Sequence, residues 1–225
     1  MPFTLSWADR KHTPWCLGKI VCVGRNYADH AKELDNPIPT EPLLFIKPSS
    51  AGADIEQALV LPEGKGEVHH EAEIALLVGD TISKVSVENA LDNIVGAGIG
   101  LDLTLRDLQS QLKQKGHPWE VAKAFDGSSP LSGFVPCANM GENPIGIEFE
   151  VNGELRQKGD SDMMLTPVAE LISYISQIFT LEAGDIILTG TPAGVGSLVA
   201  GDQFTARLLG QDESLKLSVT GCIQA

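Results

Sequence analysis

The chain has 225 residues, 43% of them hydrophobic, which is enough to bury one substantial core. The formal net charge of −14 leaves no excess of Lys and Arg for counterion release, which argues against a nucleic-acid partner, and it also opposes docking on an anionic membrane. Nothing approaches the roughly 20 apolar residues needed to span a bilayer, and the first residues lack a targeting pattern. We therefore expect one cytoplasmic domain over residues 1–225.

The first half of the chain predicts strands and one short helix. Residues 25–34 indicate a helix or helical turn, and residues 35–42, with three prolines, indicate a loop. Apolar runs bounded by Gly, Pro and Asp predict strands over residues 18–24, 42–48, 73–80 and 93–105.

The second half combines one clear helix with further strands. Residues 105–116 predict one or two helical turns ending at a glycine, followed by a loop over 116–130. Asn152-Gly153 between alternating residues is typical of a two-residue hairpin. Residues 167–179 form an amphipathic helix pattern behind a proline, and strands are predicted over 185–192, 202–210 and 214–219. The predicted fold class is α+β, dominated by strands.

Glu71 and Glu73 stand two residues apart at the opening of a predicted strand, so both carboxylates lie on one face. At about 4 Å, two such charges repel by about 4 kcal/mol at an effective dielectric near 20, which favours a raised pKa or a bound cation. Asp102, in an otherwise apolar segment, is the natural third ligand, and three carboxylates suit Mg²⁺ or Mn²⁺. The alternative is a solvent-edge Glu pair and a hydrogen-bonded buried Asp. A zinc-protease H-E-x-x-H motif is absent because Ile74 stands where it needs histidine.

Two other groups of polar residues have helical spacing or local positive charge. His30 and Glu33 are three residues apart, so on a helical turn they form either an acid–base pair or an ordinary exposed pair. Arg106, Gln109 and Lys123 place positive and amide groups on an acidic chain. They suit a substrate carboxylate and an enolate, or else a solvated face.

Residues 189–196, Thr-Gly-Thr-Pro-Ala-Gly-Val-Gly, directly follow a predicted strand. The backbone N–H groups of such a turn suit an anion, with help from Thr191. The segment is not a P-loop, because no Gly-Lys-Ser/Thr follows, and no dinucleotide-binding glycine pattern occurs elsewhere.

Seven blocks together resemble the fumarylacetoacetate hydrolase (FAH) family along almost the whole chain: GRNYADHAKEL, PLLFIKP, HHEAEIALLVG, GLDLTLRDLQ, PWEVAKAFDGSSP, VNGELRQ and DIILTGTPAGVG. The blocks are most similar to the acylpyruvase and oxaloacetate decarboxylase branch of that family. The resemblance implies a mixed β-sandwich roll with a few short helices, usually in homodimers. Residues 1–40 would then carry the His-Glu pair and form a lid.

The resemblance also assigns roles to the candidate residues. It places the metal ligands on Glu71, Glu73 and Asp102 and the catalytic pair on His30 and Glu33. It places substrate contacts on Arg106, Gln109 and Lys123 and on the turn at Thr191. Lys123 would also serve as a catalytic cation.

The activity that this resemblance implies is Mg²⁺- or Mn²⁺-dependent carbon–carbon bond cleavage of small 2-oxo acids. Acylpyruvate hydrolysis and oxaloacetate decarboxylation both pass through a pyruvate enolate, which cationic groups stabilise. The same chemistry without bond cleavage gives an oxaloacetate keto–enol tautomerase or an isomerase of unsaturated 2-hydroxy diacids. An organic-acid binding module is the non-enzymatic alternative.

Overall fold

A computed structural model describes residues 3–33, 39–140 and 144–224. The strands within them are β1 Thr4–Ser6, β2 His12–Cys16, β3 Ile20–Val23, β4 Leu44–Lys47, β5 Gly52–Asp54, β6 Ala58–Leu59, β7 Val68–His70, β8 Ala72–Val78, β9 Ile94–Leu101, β10 Thr104–Leu105, β11 Ser129–Leu131, β12 Val135–Pro136, β13 Gly146–Val151, β14 Glu154–Asp160, β15 Ile186–Leu188, β16 Gly196–Leu198, β17 Gln203–Leu209 and β18 Leu215–Ile223. The α-helices are α1 Ala28–Glu33, α2 Arg106–Lys115, α3 Glu120–Lys123, α4 Cys137–Met140 and α5 Val168–Ile178. No helix within these ranges is long and apolar enough to cross a membrane.

Two mixed sheets dominate the described part of the chain. The larger has the strand order β4-β3-β15-β8-β9-β11-β5, with β12 also paired to β9. The smaller has the order β14-β13-β17-β18-β6. Most neighbours are antiparallel, but β15 runs parallel to β3, β11 to β5 and β18 to β6. The strand-dominated α+β class and the mixed sandwich roll with few short helices are therefore confirmed.

The larger sheet is buried on both faces, as its continuous apolar strands require. On β8, Ile74 and Leu76 pack in the main core with the smaller sheet and α5, while Ala75 and Leu77 pack on the opposite side with the N-terminal segment. Burial on both sides explains why β8 and β9 read as apolar runs rather than alternating patterns. Their few charged residues consequently lie in dry surroundings.

Local signals located several elements correctly. The Asn152-Gly153 hairpin forms between β13 and β14, with both turn residues at positive φ, as a type I′ turn requires. The predicted helix over 167–179 is α5, and the short helix in 25–34 is α1. Part of the predicted proline-containing loop, residues 35–38, lies outside the described residues.

Two predictions between residues 105 and 130 were wrong in extent. Helix α2 has ten residues, more than the predicted one or two turns, because its Gln, Lys and Leu residues are good helix formers and Gly116 ends it in the left-handed conformation. The predicted loop over 116–130 contains α3 and β11. The predicted strand over 93–105 is divided into β9, which ends at Leu101, and β10, which begins at Thr104, with Asp102 in the interruption.

Candidate metal centre and the cleft above it

The three predicted ligands meet where β8 and β9 pair. Glu73 lies opposite Gly100 in the ladder, and the backbone N–H of Asp102 donates to the carbonyl of Glu71 at 2.8 Å. One carboxylate oxygen from each of Glu71, Glu73 and Asp102 lies within 4.8 Å of the others. Glu71 lies between β7 and β8 and Glu73 lies on β8, and the chain just after β9 places Asp102 beside both.

These carboxylates are buried, with exposed fractions of 6% for Glu71 and 1% for Glu73 and Asp102. Burial, together with the negative charges of Asp102 and Glu71, raises the pKa of Glu73 well above its usual range. Burial would also raise the pKa of Glu71, but the Lys123 ammonium and the Arg106 guanidinium hold it well below the ordinary value. The charged form of each carboxylate in this buried cluster therefore depends on a neighbouring cation.

Two buried lysines face Asp102. Lys123 donates to Asp102 Oδ2 at 2.5 Å and to Glu71 Oε2 at 2.9 Å, while Lys47 Nζ lies 2.6 Å from Asp102 Oδ1 and donates to the Ser128 carbonyl. Burial would lower the pKa of Lys123, but Asp102 and Glu71 raise it above its usual range. The sequence pattern gave no role to Lys47, because its proximity to Asp102 depends on strand packing.

The donor set fits a hard divalent cation. Three carboxylates without a thiolate are the oxygen ligands that Mg²⁺ and Mn²⁺ prefer. Asp102 Oδ1 is buried beside Glu71 and Glu73, and its protein partner is the Lys47 ammonium at 2.6 Å. Glu71, Glu73 and Asp102 are therefore the residues that would hold such an ion.

Arg106 and Gln109 extend from the first turn of α2 towards the same carboxylates. Arg106 donates from Nη2 to Glu71 Oε1, and from Nη1 to Gln109 Oε1 at 2.8 Å. Its Nε lies 3.3 Å from His69 Nδ1. The predicted i,i+3 pair is thus directed inwards, which disfavours the solvated-face alternative.

The His30–Glu33 pair forms on α1. His30 is 3% exposed, and its Nδ1 lies 3.3 Å from Glu33 Oε2. The Glu33 carboxylate also accepts from the backbone N–H of Gly194, at 3.1 and 3.2 Å for its two oxygens. Glu33 is therefore held from two directions, and the buried imidazole does not belong to an ordinary exposed helix pair.

The glycine-rich turn binds carboxylates of the protein itself. The N–H of Gly190 donates to Glu73 Oε2 at 2.6 Å, and the N–H of Gly194 donates to Glu33. The Thr191 hydroxyl is buried, donates to the Ala72 carbonyl at 2.9 Å and accepts from Gln157 Nε2 at 2.6 Å. These contacts favour a structural task for Thr191, and its predicted contact with substrate stays a prediction.

A cleft lies above this cluster. Five of the predicted residues line it, namely His30, Glu71, Arg106, Gln109 and Lys123. The lining also includes five residues to which the sequence assigned no role, namely Gly24, Arg25, Phe45, Lys113 and Trp119. Lys123 Nζ lies 5.3 Å from the centre of the Phe45 ring, in the range of a cation–π contact. Thr191 is not among these lining residues.

Sequence reasoning did not assign Arg25 and Lys113 to the site, because the two cations are far apart in the chain and only the fold brings them to one cleft. Arg25 lies in the same block as the His-Glu pair, and Lys113 lies seven residues beyond Arg106 on α2. Since positions i and i+7 share a helix face, this spacing was a usable signal for Lys113. Burial, then the charges of Arg25 and Arg106, lowers the pKa of Lys113, so these cations lie close together.

The fold and the carboxylate cluster define a class of protein. A family model described as Fumarylacetoacetate (FAA) hydrolase C-terminal matches residues 19–224. The chain belongs to the fumarylacetoacetate hydrolase family, as predicted.

Three similar proteins within the family have named activities. The chain is 50% identical to oxaloacetate tautomerase YcgM of Escherichia coli (strain K12), covering 84% of this chain and 87% of the relative. It is 45% identical to the mitochondrial oxaloacetate tautomerase FAHD1 of Bos taurus, covering 87% and 90%. The structure of fumarylpyruvate hydrolase from Pseudomonas aeruginosa, in complex with Mn²⁺ and pyruvate, superposes with a TM-score of 0.90 at 33% identity, covering 99% and 96%. Relatives of this chain thus act on small oxo acids, and one binds Mn²⁺.

Proposed function

We propose that the protein is a Mg²⁺- or Mn²⁺-dependent enzyme that interconverts the keto and enol forms of oxaloacetate. The observation that carries the proposal is the cluster of Glu71, Glu73 and Asp102 joined to Lys123 at the base of a cationic cleft. The activity named for the Escherichia coli and Bos taurus relatives supports this reaction. From sequence, this reaction is an alternative to the principal prediction of acylpyruvate hydrolysis or oxaloacetate decarboxylation.

The charge of the cleft supports a dicarboxylate substrate. Among the described residues that line it, Arg25, Arg106, Lys113 and Lys123 are cationic, whereas Glu71 is the one carboxylate. The whole chain is strongly acidic, so four cationic side chains around one cleft contrast with its overall charge. Oxaloacetate carries two carboxylates, and guanidinium and ammonium groups are the side chains that pair with them.

Tautomerisation moves one proton between carbon 3 and the 2-oxo oxygen. A base removes the C3 proton, the C–H electron pair forms the C2=C3 double bond, and the carbonyl oxygen gains the negative charge before it is protonated. A divalent cation held by Glu71, Glu73 and Asp102 would supply Lewis-acid polarisation of that oxygen. The Lys123 ammonium adds positive charge beside it.

His30 is the proposed base for the C3 proton. Its imidazole lines the cleft with Lys123, and Glu33, itself held by the Gly194 N–H, orients the ring through Nδ1. That arrangement leaves Nε2 to accept and return a proton. Arg106 and Gln109, bonded to each other, then bind a substrate carboxylate.

The second candidate is cleavage: hydrolysis of acylpyruvates or decarboxylation of oxaloacetate. The His30–Glu33 pair also suits activation of a water, and the Pseudomonas aeruginosa relative is a fumarylpyruvate hydrolase. Isomerisation of unsaturated 2-hydroxy diacids uses the same enolate. An organic-acid binding module would leave the pair of His30 and Glu33 without a chemical role. A homodimer and a lid within residues 1–40 also stay predictions.

The test compares metal-free and metal-loaded protein on oxaloacetate. Loss of the ultraviolet absorbance of the enol reports tautomerisation, while enzymatic determination of pyruvate reports cleavage. The proposed function requires an enol-to-keto rate on the order of 100-fold or more above that of the same metal alone, with the four-carbon skeleton retained in mass spectra. Stoichiometric pyruvate would favour the cleavage candidate, and a rate equal to that of free metal would refute the proposal.

A further inference from the structure

Gln157 lies on β14 and is 1% exposed. Its Oε1 accepts from the backbone N–H of Ala72 at 3.0 Å and lies 2.9 Å from His70 Nδ1. Its Nε2 donates to Thr191 Oγ1 at 2.6 Å and to the Pro192 carbonyl at 2.8 Å. Two acceptor contacts and two donor contacts use the full capacity of a carboxamide.

These contacts fix the orientation of the amide. The Ala72 N–H is solely a donor and the Pro192 carbonyl solely an acceptor, so Oε1 and Nε2 of Gln157 cannot be exchanged. For the same reason His70 donates from Nδ1. A buried side chain with every polar atom bonded has one arrangement, which makes it a rigid link between the elements it joins.

The Gln157 side chain joins the segment that carries Glu71 and Glu73 to the glycine-rich turn. Ala72 lies between Glu71 and Glu73, and side chains take both of its backbone polar groups: Gln157 accepts its N–H, and Thr191 donates to its carbonyl. The β15 partner of β8 ends at Leu188, opposite Ala75. At Ala72, the side chains of Gln157 and Thr191 therefore form the hydrogen bonds that a neighbouring strand would otherwise form.

We propose that Gln157 is a positioning residue for the metal-binding carboxylates, holding Ala72 against the glycine-rich turn so that Glu71 and Glu73 keep their relative placement. The assignment rests on the proposed function, since it takes these glutamates to bind the metal. Residues that hold ligands through hydrogen bonds typically contribute 10- to 100-fold to metal affinity. The cost of losing Gln157 should therefore appear in metal binding.

The experiment measures Mn²⁺ affinity of the metal-free protein by titration with detection of free Mn²⁺ in electron paramagnetic resonance. Gln157→Met keeps the length of the side chain and removes all four polar contacts. We expect a dissociation constant about tenfold or more above that of the wild type, and activity that recovers when Mn²⁺ is raised to saturation. Equal Mn²⁺ affinity in the two proteins would overturn the assignment.

Phe149→Leu is the matched structural control. The Phe149 ring lies 4.8 Å from the His70 ring and is fully buried, so its truncation loosens the same region without touching the carboxamide bonds. We expect Phe149→Leu to lower the melting temperature and leave Mn²⁺ affinity near the wild-type value. Equal weakening in both variants would mean that lost packing explains the effect, and would also overturn the assignment.

A second variant keeps the test decisive if Gln157→Met does not fold. Thr191→Val removes the hydroxyl that joins Gln157 to the Ala72 carbonyl while nearly conserving volume. It should weaken Mn²⁺ binding, and unchanged Mn²⁺ affinity counts against the link. If the wild-type protein binds no Mn²⁺, the proposed function is refuted. If the wild type binds Mn²⁺ and the variants bind it with the same affinity, only the role of Gln157 is refuted.

Discussion

The backbone N–H of Gly190 donates to Glu73 at 2.6 Å, so the glycine-rich turn directly contacts a proposed metal ligand. That hydrogen bond and the charge of Lys123 oppose burial and the two neighbouring carboxylates, which nevertheless raise the pKa of Glu73. Gly190 has a φ of +100°, and a Cβ there would lie 2.7 Å from the Cβ of Asn26. Glycine is required at this position because the backbone must approach both neighbours closely.

Gly190→Ala should therefore lower the free energy of unfolding by about 2–4 kcal/mol, through a strained φ and a clash that displaces the N–H from Glu73. Gly201→Ala is the control, since Gly201 also has positive φ but nothing lies within 4 Å of its added Cβ. The free energy of unfolding of Gly201→Ala should fall by only about 1 kcal/mol. Urea denaturation measures both, and equal losses would contradict the role of the close approach.

Glu73→Gln should abolish the stabilisation of the protein by Mn²⁺. A ligand at about 100 times its dissociation constant stabilises the folded state by about 2.7 kcal/mol, so the wild type should melt at a higher temperature when Mn²⁺ is added. The metal-free variant should be at least as stable as the wild type, because burial and the neighbouring carboxylates disfavour the charged form of Glu73 and Gln is neutral. Differential scanning calorimetry with and without Mn²⁺ provides the measurement.

Glu67→Gln serves as the control for this comparison. Glu67 is close in sequence to the cluster, but its side chain is exposed and contacts His69. Its replacement should leave the Mn²⁺-dependent rise in melting temperature intact. A normal Mn²⁺ response in Glu73→Gln would remove Glu73 from the set of ligands.

Several parts of this arrangement follow from local sequence. The Asn152-Gly153 turn, helix α5 and the two-residue spacing of Glu71 and Glu73 are determined by neighbours in the chain, and all three could be predicted. Asp102 was predictable as a polar residue in an apolar run. Its place beside the glutamates depends on the pairing of β8 with β9.

Other parts depend on contacts between distant segments. Gln157 bonds to Ala72 across 85 positions, and Lys47 lies beside Asp102 although 55 residues separate them in sequence. The sequence predicts that the glycine-rich turn binds an anion, and in the structure two of its N–H groups donate to Glu73 and Glu33 of the protein itself. No periodicity reports such pairings, because they are set by how the two sheets pack.

His30→Gln should separate the reactions that the cleft supports. Tautomerisation and acylpyruvate hydrolysis both require proton transfer at the imidazole, so each should fall by about 10²- to 10⁴-fold. Decarboxylation of oxaloacetate needs chiefly a cationic environment for the enolate, which Lys123 still provides, and should fall less. Assays of all three activities at saturating Mn²⁺ give the comparison, with Lys123→Met expected to impair every one. Equal losses in His30→Gln would contradict this division of roles.

Arg25→Met and Lys113→Met should each weaken binding of dicarboxylates more than that of monocarboxylates. Both side chains line the cleft with Arg106, and a partly exposed ion pair contributes up to about 1 kcal/mol, or roughly fivefold in KM for oxaloacetate. The KM for acetylpyruvate, which has one carboxylate, should change less. Lys115→Met is the matched control, because Lys115 is exposed on the same helix and is not among the lining residues. If Lys115→Met raised the KM for oxaloacetate as much as Lys113→Met, overall charge would explain the preference, and the two lining cations would have no specific part in recognising the second carboxylate.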